Sequence, residues 1–439
     1  MFRASLLNCR FFAVFALIGC LAFTQISRGD CTPGWKSNTD LAGLSGSVYS
    51  LVTWDPDGPG PKPEVLLAGG SFFAAGGRAA PGIAMFDGAT WHPLGTGIQG
   101  TTFVVDDLVV YRGEVIACGE FPSAGTVPGT ANIAAWDGVQ WKSLGGGLSA
   151  PARALVVRND KLFVAGSFLQ AGAIASKCVA SWNGSEWAPY DTGMAQGLNA
   201  LADLDGTLVA AGWAFPDSHL PVYRHVGASW QQMGSNITGA AGFGAAVRCF
   251  GRYHGTLYAG GAFYQPGACL VKWNGTDWVS ADFYFGNGYS HTVYTLAAYR
   301  DRLIVGGRGL RLPSVASGIG GIGVFDGANW SGFSNGSSNS EIQASAVFRG
   351  DLILGGTSYY GGQTIFLQRF GCPTCTGDLN YDDRIDDSDF VEFVAAYDTM
   401  ACSDPSMIPG CPADLDSSAM VDDDDFQLFV TSYNAMLCN

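Results

Sequence analysis

The chain has little charge, and no surplus of the positive kind. Only 14% of its 439 residues are charged, and 23 Lys and Arg face 38 Asp and Glu. No basic face exists to meet phosphates, so nucleic acid is excluded as a partner. Long apolar runs are also missing. The run from Phe11 to Phe23 is 13 residues, too short to span a bilayer, and no later stretch approaches 18, so no transmembrane helix is expected. Heptads of Ala, Leu and Lys are absent, which excludes a coiled coil. No Gly-X-Y period is present, which excludes collagen. What is abundant is glycine, 62 residues, together with 47% hydrophobic residues and 12 Trp. Such a chain is not disordered. Aromatic and β-branched runs punctuated by glycine indicate a mainly β globular protein.

The acid is concentrated at one end. Residues 372–439 hold 14 Asp, one Glu and a single base, Arg384, whereas residues 1–371 are close to neutral with 23 acids and 22 bases. Acid packed this way points to a cation site. At the other end, Arg3 and Arg10 precede the Phe11–Phe23 run, and Ser27 and Gly29 are small residues at −3 and −1 for cleavage before Asp30. Residues 1–29 therefore read as a signal peptide, and the protein as secreted or cell-surface. Leu17-Ile18-Gly19-Cys20 offers a lipid anchor at Cys20 as the alternative. Export would place the ten remaining cysteines (31, 118, 178, 249, 269, 372, 375, 402, 411 and 438) in an oxidising compartment, where they should largely form disulfides.

An internal period dominates residues 30–371. Apolar runs ending in glycine recur seven times, closing at Gly70, Gly119, Gly166, Gly212, Gly261, Gly307 and Gly356, 46 to 49 residues apart. A second signature follows six of them: Phe86-Asp-Gly-x-x-Trp91, Trp136-Asp-Gly-x-x-Trp141, Trp182-Asn-Gly-x-x-Trp187, a worn His225-Val-Gly-x-x-Trp230, Trp273-Asn-Gly-x-x-Trp278 and Phe325-Asp-Gly-x-x-Trp330. Asp-Gly and Asn-Gly between apolar runs mark tight hairpins. Each period thus holds four antiparallel strands, the size of a propeller blade. The seventh lacks its Trp strand, and Trp35-Lys-Ser37 at the N-terminus matches Trp141-Lys-Ser143. The expectation is a seven-bladed β-propeller closed by the N-terminal strand, with Cys31 and Cys372 at the join, and with the glycines crowded near the axis. These residues resemble the kelch-like propellers. The copper site of the galactose oxidases among them needs two Tyr and two His, and the five His here (92, 219, 225, 254 and 291) sit at unrelated places in the repeat. The Asp-Gly hairpins lack the spacing and leading Ser of sialidase Asp-boxes, and are read as structural turns.

Residues 372–439 are a duplication. Asp378–Asp389 and Asp414–Asp425 place oxygen side chains at loop positions 1, 3, 5, 9 and 12, with Ile385 or Val421 at position 8. That spacing wraps oxygens around Ca²⁺, with a main-chain carbonyl at position 7, here Arg384 and Met420. Each loop leads into one helical stripe: Phe390, Phe393, Val394 and Tyr397 repeat as Phe426, Phe429, Val430 and Tyr433. The stripes should pack face to face as a small all-α module. This part resembles the type I dockerin domain. The resemblance implies two calcium sites, one held by Asp378, Asn380, Asp382, Asp386 and Asp389, the other by Asp414, Asp416, Ser418, Asp422 and Asp425. Asp383 and Ala419 stand where position 6 is usually Gly, and Ser418 with Ala419 should make the second site the weaker.

Two functions follow. One is a secreted, non-catalytic propeller that binds glycans or proteins and attaches through its dockerin-like tail to a cohesin-like or cell-surface partner. The alternative is a carbohydrate-active enzyme, a polysaccharide hydrolase or lyase, with its site on the propeller face. Acids are few between residues 30 and 371, which favours binding. For a docking site, Asp282–His291 gathers aromatics beside polar residues, and Tyr284, Tyr289 and His291 are the candidates to stack on and bond a sugar.

Overall fold

The computed structural model describes residues 34–36, 41–58, 62–190, 194, 196–214, 219–239, 244–283, 291–310, 321–332, 341–360, 363–371, 377–379, 385, 387–402, 413–415, 418 and 420–435. It is mainly β, with two C-terminal helices, α1 (Asp387–Thr399) and α2 (Asp423–Ala435). The expected signal peptide, residues 1–29, together with Cys31, Cys372, Cys375, Cys411 and Cys438, lies outside the described residues.

The strands fall into seven antiparallel units. The second is representative: Val104–Tyr111, Glu114–Glu120, Ile133–Trp136 and Trp141–Lys142 pair in that order. The first strands of the seven units are Ser47–Trp54, Val104–Tyr111, Ala152–Arg158, Leu198–Leu204, Ala245–Tyr253, Thr292–Tyr299 and Glu341–Phe348. Each contacts the next, and the last contacts the first. Seven apolar clusters fill the spaces between neighbouring units. One of them joins Leu51, Leu66 and Phe86 of the first unit to Phe348, Ile353 and Leu367 of the seventh.

The repeat signatures have local causes. In each Asp-Gly or Asn-Gly hairpin the side-chain oxygen accepts two backbone amides; Asp87 Oδ1 takes those of Ala89 at 2.8 Å and Thr90 at 2.7 Å. The following glycine sits at positive φ, 105° at Gly88. These are structural turns. The Trp that follows donates its indole N–H backwards to a carbonyl near the end of the preceding repeat: Trp141 to Leu94 at 3.0 Å, Trp187 to Leu144 at 2.6 Å, Trp278 to Met233 at 2.9 Å. In the worn fourth unit the Trp230 indole nitrogen is buried without a hydrogen bond.

The seventh unit takes its fourth strand from the N-terminus. Trp35 pairs with Phe370 and Gly34 with Gly371. The ring of Trp35 meets that of Phe370 edge-on at 5.4 Å. Asp351, 1% exposed, binds Lys36 Nζ at 2.8 Å and Arg369 Nε at 2.5 Å, so one buried carboxylate fastens the terminal strand.

One expectation needs correction. Hydrogen bonding does not divide the chain into seven separate four-stranded sheets. The second strand of the fourth unit runs past its glycine, so that Trp213 pairs with Ala246 of the fifth. Arg308 pairs in the same way with Glu341. Units four and five, and units six and seven, therefore merge into eight-stranded sheets. Among the described residues, Cys118, Cys178, Cys249 and Cys269 are free thiols. They serve as small apolar groups in the clusters between units. Burial pushes Cys249 and Cys269 up to about 12, which suppresses the thiolate that disulfide exchange requires. Cys402 in the tail is disulfide-bonded.

Candidate functional site

The paired glycines do two different things. The first of a pair packs against the next unit: a Cβ on Gly69 would meet Val105 Cγ1 at 2.7 Å, and one on Gly260 would meet Val293 Cγ1 at 2.4 Å. The second has its obstacle inside its own unit. A Cβ on Gly70, Gly119, Gly212, Gly261, Gly307 or Gly356 would stand 1.9 to 2.1 Å from a carbonyl oxygen in, or for Gly212 immediately before, the adjoining first strand, and on Gly166 2.3 Å from Pro151. The cause is a β-bulge. In all seven units the register of the first strand slips by one residue opposite these glycines. A bulge leaves one residue unpaired and re-aims its side chain.

The seven bulged residues are Tyr49, Asp106, Arg153, Asn199, Arg248, Tyr294 and Gln343, one per unit. All seven line one cavity of about 310 Å³, joined by Val104 and Glu120. Its wall carries two carboxylates, two guanidiniums, two amides and two phenols.

The charges are unevenly satisfied. Asp106 Oδ2 lies 3.5 Å from Arg153 Nη1 and is buried without a hydrogen bond. Burial, reinforced by Glu120, pushes Asp106 up to about 6, against the pull of Arg153 and Arg248. Asn199 is 8% exposed, and its Nδ2 is buried with no partner. A buried amide donor left unmade costs about 1–3 kcal/mol, which a ligand oxygen would recover. Arg248 is exposed and makes no ion pair or hydrogen bond among the described residues. Next to Asp106, half-buried Asp107 accepts the amides of Leu155 and Leu108, each at 2.8 Å, and the Ser50 hydroxyl at 3.3 Å, tying the first three units together.

Trp213, in the strand Thr207–Ala214, is 48% exposed. It follows Gly212, whose partner Leu198 precedes Asn199, and it pairs with Ala246, two residues before Arg248. A Cβ on Gly197 would meet the Trp213 indole nitrogen at 3.3 Å, so the indole lies beside Gly197, two residues before Asn199. Glu120 occupies the same repeat position in the second unit, immediately after its glycine.

In the tail, Asp389 and Asp425 close their loops in the same way. Both are fully buried, and each accepts the amide of loop position 2, Leu379 at 2.7 Å and Leu415 at 2.6 Å. Asp425 also accepts the amide of Asp422 at 2.9 Å, and Asp414 that of Ser418 at 2.8 Å. Buried carboxylates and a hydroxyl are the donor set a hard divalent cation takes. The helices repeat the symmetry: Tyr397 donates to Asp423 at 2.6 Å and Tyr433 to Asp387 at 2.5 Å, and Phe393 stacks on Phe429 at 5.1 Å. Asp378 and Met420 are described, but Asn380, Asp382, Arg384, Asp386 and Asp416 lie outside the described residues, among which no cluster of three metal-ligating side chains occurs.

Of the expected docking segment, Tyr284 and Tyr289 lie outside the described residues. His291 sits at the entry to the sixth unit, its carbonyl accepting the Cys269 thiol at 3.3 Å. Phe283, 3% exposed, packs on Trp330 at 4.3 Å. Three residues past His291 comes Tyr294, which does line the cavity. The cavity residues were missed in the sequence, yet a signal was present. In units two to seven the bulged residue lies thirteen places before the second glycine, as Asp106 before Gly119 and Gln343 before Gly356.

No protein-family profile and no curated protein matches the chain. Solved structures do match. One, titled "Structure of YjhT", is 12% identical, with 75% of this chain and 96% of that one covered and a TM-score of 0.38. A likeness this low says nothing of ligand or activity.

Proposed function

We propose that the protein is a secreted or cell-surface saccharide-binding module: a seven-bladed, kelch-like propeller that takes its ligand in the central cavity, followed by a dockerin-like tail. The convergence of seven bulged residues, one from each unit, on a single polar cavity carries this reading. Cyclic contact of the first strands and the pairing of Trp35 with Phe370 support a closed ring. Amides, carboxylates, guanidiniums and phenols around one cavity are groups that hydrogen-bond sugar hydroxyls, and aromatic faces stack on the apolar faces of the rings.

In the tail, Ca²⁺ would be held by Asp378, Asn380, Asp382, Arg384 (carbonyl), Asp386 and Asp389 and by Asp414, Asp416, Ser418, Met420 (carbonyl), Asp422 and Asp425. It would neutralise the buried acids and stabilise the two helices. The folded tail would then dock on a cohesin-like or cell-surface protein.

One observation favours the enzyme alternative. Asp106 and Glu120 share the cavity, and Asp106 is raised towards neutrality, as a general acid requires. A glycan-array screen run beside a polysaccharide-degradation assay separates the two. Binding without release of new chain ends, lost in Asn199→Leu, is expected. Chain cleavage that Asp106→Asn abolishes would establish the enzyme. No retention on any saccharide, or equal retention by Asn199→Leu, would remove the cavity as the site.

A further inference from the structure

The cavity wall carries charges of both signs. Asp106 and Glu120 stand together, with Arg153 already facing Asp106 at 3.5 Å. Arg248 lines the same cavity with no carboxylate within ion-pair reach among the described residues. A simple anion would meet Arg248 and be repelled by the two acids. A neutral sugar would leave the Arg248 guanidinium unanswered. The ligand that answers both signs carries hydroxyl donors for Asp106 and Glu120 and a carboxylate for Arg248. It must also offer an oxygen to Asn199 Nδ2, buried and unpartnered. Trp213, exposed beside Gly197, two residues before Asn199, offers an apolar platform.

Resting on the reading of the cavity as a saccharide site, we infer that its ligand is an acidic saccharide, a uronic-acid residue bound with its carboxylate on Arg248 and its ring against Trp213. A guanidinium presents two parallel N–H donors to a carboxylate, and such charge-assisted bonds are about twice as strong as neutral ones. One unmet Arg therefore selects for acidity, while the polar wall and the indole select for a sugar.

The test is calorimetric titration of the full-length protein, in calcium, with a uronate tetrasaccharide and with the same tetrasaccharide reduced at its carboxyls to the neutral sugar. The acidic ligand should bind tenfold or more tightly than its reduced counterpart, and the preference should shrink as salt is raised. Arg248→Gln should erase the preference, so that the acidic ligand binds no more tightly than its reduced counterpart. Trp213→Ala should weaken both ligands by a similar factor. Both side chains are exposed, so matched circular dichroism and melting curves keep the variants interpretable. Equal affinity for the two tetrasaccharides, or acidic binding untouched by Arg248→Gln, overturns the acidic assignment while leaving a saccharide site standing. If neither saccharide binds, the site reading itself has failed.

Discussion

Replacing Gly119 by Ala tests the link between the glycine signature and the cavity. The new Cβ would stand 2.0 Å from Val104 O and 3.0 Å from the Asp106 amide nitrogen. Both obstacles are backbone, and ordinary carbon–oxygen contact begins more than 1 Å further out. The strands must part or the bulge must flatten, and no side-chain rotamer relieves the contact. Overpacking of this kind costs about 1–3 kcal/mol, and with backbone on both sides we expect about 3 kcal/mol. Gly206→Ala is the control, because nothing lies within 4 Å of its Cβ and only its positive φ of 82° is strained, at a cost of about 1–2 kcal/mol. Urea denaturation followed by fluorescence reads both, with equal slopes required for the comparison. Because the bulge aims Asp106 into the cavity, Gly119→Ala should also weaken saccharide binding, and Gly206→Ala should not. If Gly119→Ala proves no more costly than the control and binds normally, bulges do not explain the glycines.

Asp351→Ala should cost about 3 kcal/mol in the same assay, since it strands the partly buried Lys36 and Arg369 at the terminal strand; an unchanged midpoint would mean that this carboxylate does not fasten it. The pH dependence has a definite sign. Asp106 is raised from 3.8 to about 6 and Asp107 to about 7 by burial, so their protonated forms favour the fold. That contribution is full below about pH 4 and is lost as pH rises through 6 and 7. Asp106→Asn should remove the part of the slope below 6 and leave the part due to Asp107; an unchanged pH–stability profile would contradict the assignment. In the tail, EDTA should abolish a separate unfolding transition and leave the β units melting as before, with Asp378→Ala weakening the first loop and Asp414→Ala the second. An unaltered melting curve with disulfides intact would remove calcium from the account.

The repeat was legible because its causes are local. Asp-Gly hairpins, Trp strands and glycine-ended runs each follow from turn chemistry or close contact within some 50 residues. The terminal strand could also be found, as Trp35-Lys-Ser37 copies the second unit. What could not be read was the reason for the second glycine. Crowding near an axis was the natural expectation, whereas the obstacle is the bulged strand of the same unit. A bulge is a matter of register, and register between two strands leaves no mark in either one alone. The cavity was hidden for the same reason: Tyr49, Asp106, Arg153 and Asn199 share no chemistry, only a place in the repeat. Which cysteines stay free follows from burial between units, which a compartment argument does not weigh. In Cys178 and Cys269 the residue even occupies positive φ at the entry to a third strand, where Gly82 and Gly321 stand in other units.

The most direct measurement is a crystal structure of the protein grown with the uronate tetrasaccharide. The account predicts sugar density in the central cavity, an oxygen on Asn199 Nδ2, a carboxylate on Arg248, and seven bulged residues facing it from a closed ring. Saccharide seated instead on the 284–290 segment or on the outer strands, with the cavity holding only solvent, would contradict it.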